Sequence, residues 1–234
     1  MDIIFYCPDI RINPEMPETE SQHCARVLRM KEGDPLFITD GKGYFYRAQL
    51  LQANPKSCVV TIEEEIAQPK GWDFDLHIAF APTKKLDRME WFVEKATEIG
   101  IDTFSPLKCR YSERKNINTT RLEKIMVSAM KQSQKSRLPQ FEELTQFDQF
   151  IKQPFDGQKY IAHCYDSAKT PLTQICKKNT NTLILIGPEG DFSEGEVAKS
   201  IEQGFTPISL GDSRLRTETA ALVACHTVHI INQM

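Results

Sequence analysis

Leu183-Ile184-Leu185-Ile186-Gly187-Pro188-Glu189-Gly190-Asp191-Phe192-Ser193-Glu194-Gly195-Glu196 is the stretch on which the fold turns. Four consecutive apolar residues predict a strand buried on both faces, as in a parallel sheet covered by helices. Gly-Pro-Glu-Gly then breaks the strand at once. Ser193 and Glu196 have the spacing of a capping box, which opens a helix. Ligands of open α/β sheets bind beyond the carboxyl ends of the strands, where this loop falls. Glycines there let a ligand approach the backbone. A plain strand-to-helix turn would use the same residues, so the stretch alone leaves both readings open.

A second segment has the same design. Ser209-Leu210-Gly211-Asp212-Ser213-Arg214-Leu215-Arg216-Thr217-Glu218-Thr219-Ala220-Ala221 follows a short strand and leads into a helix, with Thr217 expected as its N-cap. Arg214, Arg216 and Glu218 concentrate charge in this loop, as a surface ion-pair cluster or as a ligand site. Neither loop matches GxGxxG or a P-loop, which argues against a Rossmann dinucleotide site and an NTPase.

Outward from these loops the pattern alternates. Phe74 to Phe80 predicts a strand, and Leu86 to Ile99 a helix stopped by Gly100. A second helix is expected over Thr119 to Lys135, with Leu122, Ile125, Met126, Ala129 and Met130 at helical spacing. Strands recur at Lys159–Cys164, Thr182–Ile186 and Pro207–Leu210, and an apolar helix closes the chain from Glu218 to Asn232. This is the signature of a parallel sheet with helices on both faces. Upstream of the turn-rich stretch Ala67 to Gly71 the chain is β-rich instead. Leu36–Ile38 and Tyr44–Tyr46 flank Asp40-Gly41-Lys42-Gly43 as a hairpin, Cys58–Ile62 suits a third strand, and one short helix is expected from Glu20 to Met30. Two domains follow: residues 1–70, a small barrel-like module, and residues 71–234, an α/β domain.

Composition bounds the function. With 40% apolar and 26% charged residues, the 234-residue chain has the balance of a folded globular protein. No apolar run reaches membrane-spanning length and no secretory signal is visible, so the expected compartment is the cytoplasm. Seven scattered cysteines without a CxxC pair read as reduced core residues. Cys225, His226 and His229 lack a second ligand pair, and no metal is expected. The net charge of −3 hides an asymmetry: between Lys108 and Arg137 nine basic residues meet only Glu113 and Glu123, giving +7 there and −10 elsewhere. Such a zone either faces phosphates or is a solvated helix face.

Together the two loops resemble the SPOUT class of methyltransferases, and more narrowly the RsmE family, which methylates N3 of a uridine in 16S ribosomal RNA. The apolar strand, GPEG, Phe-Ser and downstream Glu match Ile186 to Glu196, and the LG…LRTETA signature matches Leu210 to Ala220. Further agreement lies in His23 with Val27-Leu28-Arg29, in Met89-Glu90 through Lys95–Gly100 to Pro106, and in Gln132-Ser133 to Arg137-Leu138-Pro139. The likeness spans nearly the whole chain. It departs at Asp191, where the family often has glycine, and at the polar Asp212-Ser213.

The resemblance implies a PUA-like β-barrel followed by an α/β domain tied in a deep trefoil knot. It also implies a homodimer, S-adenosylmethionine as cofactor, and the small ribosomal subunit with its 16S rRNA as partner. Cofactor contacts would come from Ile186, Gly187, Glu189, Gly190, Leu210, Gly211, Leu215 and Thr219. Uracil N3 carries a proton and is a poor nucleophile until it leaves, so a base and a cation are needed. Arg137 or Arg216 would stabilise charge on the uracil oxygens, and Glu189 or Glu218 would accept the proton. Glu218 can equally serve the first turn of its helix. RNA contacts are expected from Arg26, Arg29 and Lys31 in the first domain and from Arg110, Arg114, Lys115 and Lys135 in the basic zone. Tyr44, Phe45 and Tyr46 are candidates for base stacking, although alternation puts about half of such strand residues in the core. The alternatives are a knotted methyltransferase for another RNA position and a ribosome assembly factor without chemistry.

Overall fold

The computed structural model describes residues 3–114 and 116–234. Its contacts divide the chain into two units: one runs to Gly71 and takes in Val127–Leu138, the other comprises Trp72–Met126 and Pro139–Met234. The sequence placed 127–138 in the second domain. The segment groups with the first because Gly43 N donates to Ser136 O, Leu138 N donates to Gly41 O, and Lys131 Nζ pairs with Glu20.

In the first unit, β1 (Ile4–Tyr6) precedes α1 (Glu18–Gln22), which continues as a π-helical turn over His23–Val27. β2 (Pro35–Thr39), β3 (Tyr44–Gln52) and β4 (Val59–Ala67) follow. The sheet order is β1-β2-β3-β4, with β1 parallel to β2 and the remaining pairs antiparallel. Asp40 organises the β2–β3 hairpin, accepting from Lys42 N at 2.7 Å and from the buried Tyr46 hydroxyl at 2.9 Å. Tyr46 is therefore core, packed with Phe5, Ile38 and Leu50. Tyr44 stays half-buried with Arg11 4.0 Å over its ring.

The second unit is a parallel α/β layer. Its elements run β5 (Leu76–Phe80), α2 (Leu86–Ile99), β6 (Thr103–Lys108), α3 (Thr119–Gln132, of which the part from Val127 on is counted with the first unit), β7 (Gln140–Phe141), β8 (Thr145–Gln146), α4 (Phe147–Phe150) and β9 (Gln158–Ala162). Then come β10 (Thr170–Pro171), α5 (Leu172–Ile175), β11 (Thr182–Ile186), α6 (Glu194–Glu202), β12 (Thr206–Ser209) and α7 (Thr217–Gln233). The strand order is β10-β12-β9-β11-β5-β6-β7, with β8 also on β6, and every pair is parallel. β11 is buried along its whole length, as its apolar run requires. α2 buries Met89, Phe92, Val93 and Ala96 and ends at Gly100, whose φ of 131° only glycine adopts readily.

Five strands escape the sequence patterns. β1 has only three residues and β7, β8 and β10 only two each, too short for a periodicity to show. β6 contains Pro106, which lacks the N–H a strand needs. The gap is tolerated because β6 changes partner there: Thr103 and Phe104 pair with β7, Leu107 and Lys108 with β8.

Below that gap runs a polar chain the sequence does not suggest. Ser105 Oγ donates its one proton to Glu142 and lies 2.5 Å from His77 Nε2, so the imidazole must be the donor between them. Phe150 packs edge-on to His77 at 5.7 Å. Burial pushes the His77 pKa down to about 4, against a smaller upward pull from Glu142. A folded-state pKa below the unfolded value of about 6.5 means the unfolded chain binds the extra proton. Stability from this site is full above that value and is lost as pH falls toward 4. The melting temperature is expected to drop by several degrees between pH 7 and pH 5. In His77→Asn that dependence should shrink, and an unchanged pH profile in the variant would sink the assignment.

Candidate active site

β12, β9 and β11 lie side by side, so three loops leave their carboxyl ends together. Residues 162–165, 186–191 and 208–217 enclose a cavity of about 730 Å³, with Ala220 of α7 completing the wall. The two loops singled out in the sequence thus meet at one site.

Local chemistry fixes each loop. After β11, Asp191 N donates to Pro188 O at 2.9 Å and closes a turn. Asp191 itself holds φ 66°, the left-handed conformation that glycine adopts freely. Its carboxylate compensates by accepting from Phe192 N at 2.8 Å and from Cys164 N at 2.7 Å. Ser193 and Glu196 form the expected capping box, and Glu196 also accepts from Arg110 N. Across the cavity, Gly211 adopts φ 119°, which an L side chain would strain.

Thr217, expected as the N-cap of α7, is instead its first helical residue, and Arg216 occupies the cap position without a side-chain cap bond. The Thr217 hydroxyl is drawn away by a stronger tertiary contact: it donates to Gly187 O at 3.0 Å, joining the two loops. Thr217→Val keeps the volume, removes the donor and leaves that carbonyl without it. A loss of about 1 kcal/mol is expected on thermal or urea unfolding, with Thr217→Ser close to the parent. Equal melting of the valine variant and the parent would show the bond to be dispensable.

The sequence-predicted residues separate into groups. Ile186, Gly187, Glu189, Gly190, Leu210, Gly211, Leu215 and Arg216 all border the cavity. Thr219 does not, because Thr217 and Ala220 share the inward helix face at i, i+3 spacing and Thr219 lies off it. Glu218 is also outside the wall: it is buried with Oε1 3.7 Å from Arg88 Nε, and its Oε2 has no hydrogen-bond partner. Glu189 Oε1 accepts from Lys84 N at 2.9 Å, which ties the loop after β5 to the loop after β11. Arg137 belongs to the first unit, where its guanidinium lies over Gly43 in space that a Cβ would fill.

The basic zone is less uniform than its charge suggests. Arg114 donates to the carbonyls of Thr83 and Lys84, Arg121 pairs with Glu90, and Lys131 pairs with Glu20. Arg26, Arg29, Lys31 and Arg110 are exposed, and Lys135 is half-buried. Lys115 lies outside the described residues. Cys225 and His229 both contact Gly100 O, and no cluster of three metal-ligating side chains occurs among the described residues.

Sequence reasoning missed His163 in the cavity wall. It is 8% exposed, and neither ring nitrogen has a hydrogen-bond partner. Burial lowers its pKa, Lys169 adds to that shift, and Asp191 opposes it. The sequence placed it inside the strand expected over Lys159–Cys164, whereas β9 ends at Ala162 and leaves it in the loop. Nearby, Lys169 Nζ donates to His163 O and Tyr165 O, while the Tyr165 hydroxyl donates to Phe192 O.

Comparison with known proteins places this geometry. Residues 70–229 match the family described as RNA methyltransferase domain, and residues 17–63 match the RNA methyltransferase PUA domain. The chain is 32% identical to Ribosomal RNA small subunit methyltransferase E of Buchnera aphidicola (subsp. Acyrthosiphon pisum), covering 88% of this chain and 83% of the relative. A crystal structure described as a probable rRNA-methyltransferase from Porphyromonas gingivalis superposes with a TM-score of 0.94 at 42% identity, over 98% of each chain. A structure described as a putative methyltransferase from Legionella pneumophila in complex with the bound cofactor SAM has a TM-score of 0.88 at 26% identity, again over 98% of each chain.

Proposed function

Because the chain belongs to the RNA methyltransferase family, we propose that it transfers a methyl group from S-adenosylmethionine to N3 of a uridine in the 16S rRNA of the small ribosomal subunit. One observation carries this most: the GPEG and LRTETA loops, remote in sequence, wall one cavity at the carboxyl edge of a parallel sheet. The cavity fits the cofactor. Its 730 Å³ suit a nucleoside with a short chain, Ile186 and Leu215 offer apolar surface, and the loops present backbone groups beside Gly187 and Gly211.

When bound, S-adenosylmethionine supplies an electrophilic methyl group on a sulfonium. What remains for the protein is alignment and charge. Loops 187–191 and 210–217, fastened to each other by Thr217 and to β9 by Asp191, hold the donor side rigidly. Arg216, exposed on the cavity wall, is placed to stabilise the negative charge that spreads onto the uracil oxygens as N3 loses its proton. Of the two carboxylates considered as acceptor, Glu189 borders the cavity and Glu218 does not. Glu218 rather fastens the start of α7 to Arg88. The trefoil knot and homodimer implied by the resemblance belong to the same proposal; light scattering should give twice the 26.8 kDa chain mass.

The test is methyl transfer from labelled S-adenosylmethionine to small subunits lacking this modification, followed by primer extension. Methylation at N3 blocks pairing, so one new strong stop at a uridine is expected. Label without a stop keeps the enzyme class and removes the N3 assignment. No label and no cofactor binding leaves an assembly factor without chemistry.

A further inference from the structure

We propose that His163 binds the cofactor directly, its imidazole forming a hydrogen bond with the nucleoside part of the S-adenosyl ligand. The inference rests on the methyltransferase function of the cavity. A buried polar group without a partner is costly, and each instance in a native protein asks for an explanation. His163 has two such atoms in one ring, on the wall of the cavity. It directly follows β9, which lies between β11 and β12, so the residue stands between the two loops that form the rest of the site.

No neighbouring group bonds to the ring: Lys169 Nζ points two of its donors at backbone carbonyls, and the Asp191 carboxylate is held by two backbone N–H groups. Since His163 lines the cavity, a ligand seated there is the partner that would complete it. The chemistry selects which part of the ligand. Burial and Lys169 keep the ring neutral, with one donor and one acceptor. Ribose hydroxyls complement both. At the amino-acid end the carboxylate complements only the donor and the ammonium only the acceptor, whereas a single ribose hydroxyl serves either.

Binding of S-adenosylhomocysteine and of methylthioadenosine, which lacks the amino-acid end, separates the possibilities by calorimetry. His163→Phe is expected to weaken both ligands about tenfold, with His163→Gln restoring most of the affinity. Without ligand, the Phe variant should melt no lower than the parent, because it removes two unsatisfied atoms; a purely structural histidine would lower it. If the Phe variant does not fold, His163→Leu serves the same comparison. Unchanged affinity in the apolar variants would mean that the ring holds only an ordered water, and the inference falls. Weakening confined to S-adenosylhomocysteine would move the contact to the amino-acid end and overturn the nucleoside assignment. A parent protein that binds neither ligand overturns the methyltransferase function itself, and this inference with it.

Discussion

Arg216→Ala is expected to lower kcat for methyl transfer by about two orders of magnitude, the size typical for loss of one group aimed at developing charge. Cofactor affinity should stay within a few-fold. The separation follows from position. Arg216 precedes α7, and its backbone carbonyl accepts from Ala220 N at 2.7 Å, a bond that alanine keeps. Its side chain caps nothing and is exposed, so truncation leaves the loop intact and removes only the cation. The uracil ring gains negative charge as N3 is deprotonated. A cation beside its oxygens matters most at that moment, not when the ground-state complex forms. Single-turnover rates with saturating RNA, beside calorimetric cofactor affinity, give the comparison. Glu218→Gln serves as a contrast, since Glu218 faces Arg88 away from the cavity and should mainly lower stability. An unchanged kcat in Arg216→Ala, with a raised KM for RNA, would make Arg216 a docking residue instead.

How much of this could be read in the sequence depended on the range of the interactions involved. α2 was legible to the residue because its signals are local: apolar residues at helical spacing, then Gly100 at a positive φ. The same holds for β11 and the capping box of Ser193 and Glu196, whose partners are three residues apart. β6 was hidden by Pro106, since only the change of partner from β7 to β8 makes a proline acceptable there. Thr217 has the local pattern of an N-cap, yet its hydroxyl goes to Gly187, thirty residues away. The charge of the basic zone is a coarser signal. Arg114, Arg121 and Lys131 are satisfied by groups distant in the chain, which a window count cannot see. His163 carries no motif at all. Its significance comes from what does not surround it.

Asp191 tests whether the departure from the family pattern has been absorbed by the fold. Asp191→Ala should cost about 2 kcal/mol, about 1 kcal/mol for each of two half-exposed hydrogen bonds, and it leaves the left-handed strain of the parent uncompensated. At about 2–4 °C per kcal/mol for a chain this long, melting should fall by about 6 °C. Asp191→Gly loses the same two bonds and not the backbone strain, so it should lie about 1 kcal/mol above the alanine variant. Both should bind S-adenosylhomocysteine more weakly than the parent. The bond to Cys164 N is what ties the end of β9 to the loop after β11, and both line the cavity. The order of the two variants is the informative result. Glycine melting above alanine means the aspartate does by hydrogen bonding what glycine does by conformational freedom. Glycine melting with or below alanine means backbone strain at this position is negligible, and the tether to β9 alone accounts for the residue.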